Sequence, residues 1–410
     1  MSTVAIVGGG LIGSAAGAWL IADGFDVTVF ERDPDGRPAS TGNAGVISLP
    51  DISPLARPAM LWSAAGWMLD PLGPLTVRAR DLPALAPWLA AFVAAARPSR
   101  VERATAALGF LMKTALADHQ ELARRAELTG TMRRTGALYV YDSDAGFRAG
   151  LAEWRERGRF GVAYRELSLD EAREMAPALT GPFSRAIFAP DAWTVSSPLE
   201  ILTGLRRAVA AGGRLEARAV ASVRTEGDGA VVTDAAGGET RFDRVLIAGG
   251  VWSRDLVRGL GLRVLLESER GYNTTYPDSP IALPLPVFFA EHAFCATPLA
   301  DGLRVGGAVE LAATEAPANF ARAAAMRRKM RRYVPDLPET GGREWMGCRP
   351  STPDSLPVIG AHPGAPQIVF AFGHGHLGLT LSAVTARHVS DIFAGRRDRN
   401  LEAVGIERFQ

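Results

Sequence analysis

Three glycines and one carboxylate near the start of the chain have the spacing of a phosphate cradle. Gly8, Gly10 and Gly13 form a GxGxxG run directly after the apolar stretch Val4 to Val7. Glu31 stands eighteen residues past Gly13, at the end of a second apolar stretch, Asp26 to Phe30. Each position has a physical reason. Gly8 permits the tight turn out of a strand, Gly10 lets a pyrophosphate approach the backbone, and Gly13 lets a helix pack close to a sheet. The helix that follows would turn its unpaired N–H groups and partial positive charge toward phosphate oxygens. A carboxylate at position 31 accepts from ribose hydroxyls and repels a 2′-phosphate, which disfavours NADP. The motif alone leaves FAD and NAD both open.

A second concentration of unusual residues lies near the other end. The run "FGHGHLGLT", Phe372 to Thr380, sets His374 and His376 among Gly373, Gly375 and Gly378. The histidines alternate with glycine and have no Cys or acidic partner at ligand spacing, so no metal site is expected. The glycines matter first, because they let backbone N–H groups reach a ligand. Upstream, "GCRPSTPDSLPVIG" holds Arg349 in a segment stiffened by Pro350, Pro353 and Pro357.

The elements that must carry these residues follow from the pattern. Val4–Val7, an Ala-rich helix from Ser14 to Ala22 and Asp26–Phe30 make a βαβ unit. "STGNAGVIS", Ser40 to Ser48, is a loop rich in small residues and donors. Residues 55–130 read as helical. "GALYVYD" and "SRAIFAPD" read as strands, with a short helix between them opened by a Ser168–Glu171 capping box. Ser197 and Pro198 begin another helix, which Gly212 and Gly213 end. A β-meander with turns at GDG and AGG then leads to the apolar strand Val245–Ala248. Residues 262–310 read as strands again. "FARAAAMRRKMRRYVP" reads as an amphipathic helix with a solvated basic face, and Leu379 to Phe393 as the last helix.

The chain has 410 residues, more than one core usually serves, so two domains are expected. Hydrophobic residues make up 47 % and charged residues 22 %, with a net charge of +1, which gives no argument for nucleic acid. Cys295 and Cys348 are too few for a disulfide framework. No signal peptide and no run of the ~20 apolar residues a span needs is read, so a cytoplasmic protein is expected. The apolar stretch Leu61 to Leu75, with Trp62 and Trp67, leaves room for peripheral contact with the inner face of a membrane; a core helix is the plainer reading.

Taken together, "GGGLIGSAAGAWL…DVTVFERD", "TGNAGVIS", "RVLIAGGVWS", "GCRPSTPDSLPVIG" and "GHGHLGLT" resemble the FAD-dependent D-amino acid oxidase/dehydrogenase family, and the bacterial D-amino acid dehydrogenase branch most closely. The resemblance spans nearly the whole chain. It implies an α/β fold: a glutathione-reductase-type, Rossmann-like FAD domain interleaved with an α+β substrate domain on a largely antiparallel sheet. The implied segments are 1–54, 196–262 and 345–410 for FAD, and 55–195 and 263–344 for substrate.

The resemblance also implies residue roles. Gly8, Gly10, Gly13, Glu31 and Arg32 serve the ADP half of a non-covalent FAD. Asn43, Ala44 and Gly45 run along the pyrophosphate and flavin. Val220 meets the adenine, and Gly249 and Trp252 lie where the mid-chain strand passes the cofactor. Gly373, Gly375, Gly378 and Thr380 close over the ring, with the last helix aimed at it. Arg349 clamps the substrate carboxylate. Tyr272 assists it, against the alternative of a core tyrosine. His374 lines the flavin pocket, against that of a solvent-facing loop residue. Cys348 is expected to be a small buried residue rather than a flavin attachment point.

The implied activity is oxidative deamination of a D-amino acid, with electrons passed to a quinone or another flavoprotein. Oxidation of a secondary amine or imino acid (D-proline, hydroxyproline, sarcosine or glycine type) and a flavin-binding partner subunit are the alternatives. An NAD-dependent dehydrogenase is a rival that a yellow colour would exclude. The oligomeric state is not legible.

Overall fold

The computed structural model of the chain describes residues 1–36, 38–61 and 72–410. Trp62 and Trp67, on which the expectation of membrane contact turns, lie outside the described residues. Among the described residues no helix is long and apolar enough to cross a membrane.

The βαβ unit read from the N-terminus forms as expected. Strand Thr3–Val7 pairs in parallel with Asp26–Phe30, and helix Leu11–Ala22 connects them. These strands sit inside a six-stranded sheet. Its order is Arg214–Glu216, Asp26–Phe30, Thr3–Val7, Arg244–Ile247, Ala365–Phe372 and Val358–His362. The first five strands are parallel, and the last closes an antiparallel hairpin. The central strands are apolar on both faces because both faces are covered. Helices Leu11–Ala22, Pro198–Gly212 and Gly378–Phe393 pack on one side, around Ile6, Val29, Leu205 and Val389. On the other side lies the meander Val220–Glu226, Gly229–Asp234 and Glu239–Phe242, packed through Val223, Val232 and Phe242 against Val245 and Phe370.

The second body is built on a nine-stranded sheet. Eight strands follow in the order Arg343–Ser351, Glu267–Tyr276, Gly302–Leu311, Phe294–Leu299, Val287–Phe289, Ala137–Tyr141, Arg185–Ala189 and Arg165–Leu167. Leu75–Val77 adds in parallel beside Gly302–Leu311. The sheet is otherwise antiparallel except where Val287–Phe289 meets Ala137–Tyr141. The strand Leu75–Val77 interrupts a region read from sequence as helical. That region also holds the expected helices, Leu82–Ala95 and Pro98–Arg125.

Helix Ala321–Met330 covers the far face of this sheet, and here one expectation fails. Its basic side is not all solvated. Arg322 is buried, and its guanidinium donates to the Thr76 hydroxyl and to the carbonyls of Gly73 and Val309. Burying a guanidinium is tolerable because both of its terminal nitrogens find acceptors. The Ser168 capping box forms as read, with reciprocal bonds to Glu171.

Candidate active site

At the end of strand Thr3–Val7 the chain turns at Gly8, whose φ of +109° lies in the region that favours glycine. A Cβ built on Gly13 would sit 1.8 Å from the Gly8 carbonyl oxygen, so only glycine lets the helix start this close to the sheet. Gly10 caps the helix with no side-chain partner for the first N–H groups, and the space in front of it is open. Glu31 folds back over this turn and accepts from Gly9 N–H at 2.8 Å and from Asp33 N–H at 3.1 Å.

Arg206, not singled out from the sequence, joins them. Its Nε donates to the Gly9 carbonyl, and its Nη1 to that of Pro34. Its Nη2 lies 3.6 Å from Glu31 and is buried without a hydrogen-bond partner. An uncapped helix start, an open approach at Gly10 and one buried unmet donor fit the phosphates and sugar of a dinucleotide. At the same sheet edge the Arg32 guanidinium stacks over the Trp252 ring at 3.5 Å. Gly249 follows Ala248, whose N–H donates to the Val7 carbonyl, and Val220 begins the meander, partly buried against its core.

Two loops meet above this cradle. Asn43 Oδ1 accepts from Gly45 N–H, and Gly45 itself has φ +72°. Ala44 packs against the apolar cluster that contains Tyr139 and Trp154. Thr380, in the first turn of helix Gly378–Phe393, accepts from Ser48 N–H at 3.0 Å, which joins the 43–48 loop to that helix. The helix has no side-chain cap at its start, and Gly373 and Gly375 before it have φ of +77° and +53°. A positive helix end is therefore presented beside the loop.

The large sheet comes up against these loops with one face. Asn273 donates from its amide to the Gly42 carbonyl. Buried Arg304 donates to the carbonyls of Thr41 and Asn43 at 3.0 and 2.7 Å, and burial lowers its pKa. Side chains two apart on a strand share a face. Glu269, Gly271 and Asn273 therefore point together, toward the loops. Opposite them, Arg349 pairs with Glu269 and Gly347 with Gly271.

The Arg349 guanidinium lies across Gly271, where a Cβ would come within 2.4 Å of Cζ. Its Nη1 donates to Glu269 Oε1 at 3.2 Å, and Ser351 Oγ donates to Oε2 of the same carboxylate at 2.8 Å. Glu269 is buried, whereas the Arg349 side chain is 27 % exposed. A buried carboxylate so held fixes the guanidinium from behind and leaves it an open side. His374 forms an isolated backbone bridge with Ser351, so the C-terminal glycine loop and Arg349 are anchored to one short segment.

One expected site residue does not join this arrangement. Tyr272 lies between Gly271 and Asn273, so its ring emerges from the opposite face, in the core under helix Ala321–Met330. Its hydroxyl donates to Glu310 and accepts from Asn319 N–H, and burial raises its pKa. It is the core tyrosine of the alternative reading. His374 is buried, not solvent-facing, and its ring lies along the last helix with its Nδ1 buried without a hydrogen-bond partner. Its Nε2 meets the Thr385 hydroxyl at 3.0 Å, seven residues or about 10 Å inside the helix. Burial pulls its pKa down to about 3, so the ring is neutral at ordinary pH. Cys348 alternates with Arg349 and shares the Tyr272 face, half-buried, which directs its sulfur away from the cofactor loops. His376 is partly exposed.

Glu269, Gly271, Asn273 and Arg304 were missed. Nothing in their local sequence marks them, because strand register alone brings them together. Among the described residues no group of three or more metal-type ligands is present.

Comparison with known proteins gives the family of the chain. The family model described as FAD dependent oxidoreductase matches residues 3–392. The chain is 34 % identical to a D-amino-acid oxidase of Bradyrhizobium diazoefficiens, covering 96 % of this chain and 95 % of that protein. It is 30 % identical to a D-amino acid dehydrogenase of Paramagnetospirillum magneticum, covering 99 % and 98 %. Among solved structures, glycine oxidase from Geobacillus kaustophilus superposes with a TM-score of 0.74 at 23 % identity, covering 97 % of this chain and 96 % of that one. That likeness supports the fold alone. The chain belongs to the FAD dependent oxidoreductase family, and its phosphate cradle fits that cofactor.

Proposed function

We propose that this member of the FAD dependent oxidoreductase family deaminates D-amino acids oxidatively, with Arg349 as the carboxylate clamp. The observation that carries the reading is the Arg349 guanidinium, laid over Gly271 on the sheet face that the 41–45 loop touches, and braced by buried Glu269. The names of the relatives support the D-amino acid assignment.

On this reading residues 1–54, 196–262 and 345–410 hold the cofactor and the intervening segments hold the substrate. Gly8, Gly10, Gly13, Glu31 and Arg206 would hold the ADP half of FAD. The 43–48 loop and the start of helix Gly378–Phe393 would hold the flavin half. FAD, when bound, accepts the hydride that leaves the substrate Cα. Arg349 binds both carboxylate oxygens and so fixes the direction of Cα–H. Glu269 holds the guanidinium in place, and Gly271 keeps its seat clear. The substrate reacts as its neutral amine, and the released imine takes up water to give a 2-oxo acid and ammonia. His374, neutral and bound to Thr385, takes no proton in this scheme.

We assign a quinone or another organic acceptor to the electrons, in line with the relatives named dehydrogenase. Oxygen is the second reading, favoured by the relative named oxidase. The test is turnover of purified, flavin-loaded protein with a soluble quinone, on matched D- and L-amino acids, with the 2-oxo acid and ammonia assayed. Equal amounts of both products from D-isomers alone support the reading. Turnover of L-isomers, or of secondary amines only, contradicts it. Repeating the reaction in air without quinone separates the two acceptors.

A further inference from the structure

The rung of the large sheet that begins at Asn273 continues sideways. Asn273 faces Gly306, Gly306 faces Cys295, Cys295 faces Phe288, and Phe288 faces Tyr139. Residues directly opposite on neighbouring strands share a face. This row therefore lies on the Arg349 face. A cavity of about 280 Å³ opens on it, lined by Tyr139, Phe288, Cys295, Trp154, Arg57 and Arg157. Gly306 leaves part of the floor bare.

The cavity adjoins the site already described. The Tyr139 hydroxyl stands beside that of Ser48, whose N–H donates to Thr380. Burial pushes the Cys295 thiol up to about 11, opposed by a hydrogen bond to Thr297 and by the charges of Arg349 and Arg304. Both hydroxyls, of Tyr139 and of Ser48, are buried, with no hydrogen-bond partner beyond each other.

The walls specify a ligand. Tyr139 and Phe288 stack with centroids 4.6 Å apart, and Trp154 meets Tyr139 edge-on at 4.8 Å. Such walls accept a flat apolar group in stacked or edge contact. The charges at the rim cancel. Arg57 pairs with Glu153 at 3.0 Å, and Arg157 lies 3.8 Å from Asp51 with its guanidinium over the Trp154 ring. Each rim arginine thus has a carboxylate partner, so no charged side chain meets an unpaired counter-charge there, while the buried Nε donors of Arg57 and Arg157 remain open to a neutral acceptor.

We infer that this cavity receives the substrate side chain and selects D-amino acids with an uncharged aromatic group. The inference rests on the proposed D-amino acid reaction, and its test separates the two. Calorimetry on flavin-loaded protein compares 3-phenylpropionate with propionate, the unreactive carboxylates that carry the side chains of phenylalanine and alanine. The phenyl compound binds at least tenfold tighter if the cavity is the side-chain pocket. Equal affinity overturns it.

The second readout is the ratio of kcat/KM for D-phenylalanine over D-alanine. Cys295→Leu, which intrudes on the floor, lowers that ratio about tenfold, and Phe288→Leu, which removes the stack and keeps the bulk, lowers it a few-fold. An unchanged ratio in flavin-loaded variants, or faster turnover of D-glutamate or D-arginine than of D-phenylalanine, overturns the inference. Tight phenylpropionate binding with no turnover of any D-amino acid keeps the pocket and sinks the reaction.

Discussion

Gly13 and Gly271 are both glycines that a side chain would destroy, but they fail differently. The missing Cβ of Gly13 faces a backbone oxygen of its own loop at 1.8 Å, and neither wall can move. The missing Cβ of Gly271 faces the end of a long side chain, the Arg349 guanidinium, at 2.4 Å. A guanidinium can swing aside, whereas a strand end packed on a helix start cannot. On the proposed reading, the glycine turn of the cofactor half rests on rigid contacts between near neighbours in sequence. The substrate half rests on a braced side chain, set by residues eighty apart, Glu269 and Arg349. A rigid cradle retains a cofactor, and a braced but movable clamp admits and releases a substrate.

The contrast is sharpest at the rigid end. Gly13→Val separates helix from strand, and flavin content falls to roughly a tenth of wild type or less because the phosphates lose their cradle. The ratio of flavin to protein absorbance reads this directly. A variant that keeps its flavin would show that the loop is not the rigid element.

Next in size is Arg349→Ala. Two charge-assisted hydrogen bonds to a carboxylate are worth about 3–4 kcal/mol together, or roughly a hundred- to thousand-fold in kcat/KM. Flavin content should stay at the wild-type level. Loss of both together would merge the two halves that the comparison separates.

Gly271→Ala is gentler. The protein folds and keeps its flavin, and the displaced guanidinium raises KM about tenfold, with kcat less affected. A fall in kcat alone would mean that Arg349 is not a substrate clamp.

A pH effect comes next. His374 is held near 3 by burial, against 6.5 for an ordinary histidine. His388 is shifted the same way, to about 4. As pH falls below 6.5 the unfolded chain takes up protons that the folded chain refuses. The stability due to these neutral rings is therefore whole above pH 6.5 and is lost as pH falls toward 3. Urea midpoints should fall between pH 7 and 4, and less so in His374→Gln. Between pH 7 and 10 the kcat/KM profile should carry no ionisation of His374.

The smallest effect on catalysis is expected from Tyr272→Phe. Removing a hydroxyl that serves Glu310 and Asn319 costs about 1–3 kcal/mol of stability. The change in kcat/KM stays within about threefold. A hundred-fold loss would return Tyr272 to the site and refute the face assignment.

The same contrast explains what the sequence made legible. Gly8, Gly10, Gly13 and Glu31 act through local geometry, so their spacing carries their meaning, and the βαβ unit around them formed as read. Gly373 and Gly375, both at positive φ, are legible for the same reason. Glu269, Asn273, Arg304 and Cys295 act through cross-strand register, which no local pattern encodes. Tyr272 shows the hazard of that gap. Its strand was read, but its face was not, and a shift of one residue moves a side chain to the other side of a sheet. Arg206 was hidden in another way, on a helix that was recognised but whose docking against Gly9 belongs to tertiary packing.

On the proposed reading, a rigid flavin cradle and the Arg349 clamp act on one D-amino acid. An anaerobic absorbance titration tests it most directly, with matched D- and L-phenylalanine and D- and L-alanine added to wild type and Arg349→Ala. Bleaching of the flavin band by the D-isomers in wild type, and only at far higher concentrations in the variant, is the predicted result. A flavin band that no D-isomer bleaches, or that bleaches equally well without Arg349, would contradict it.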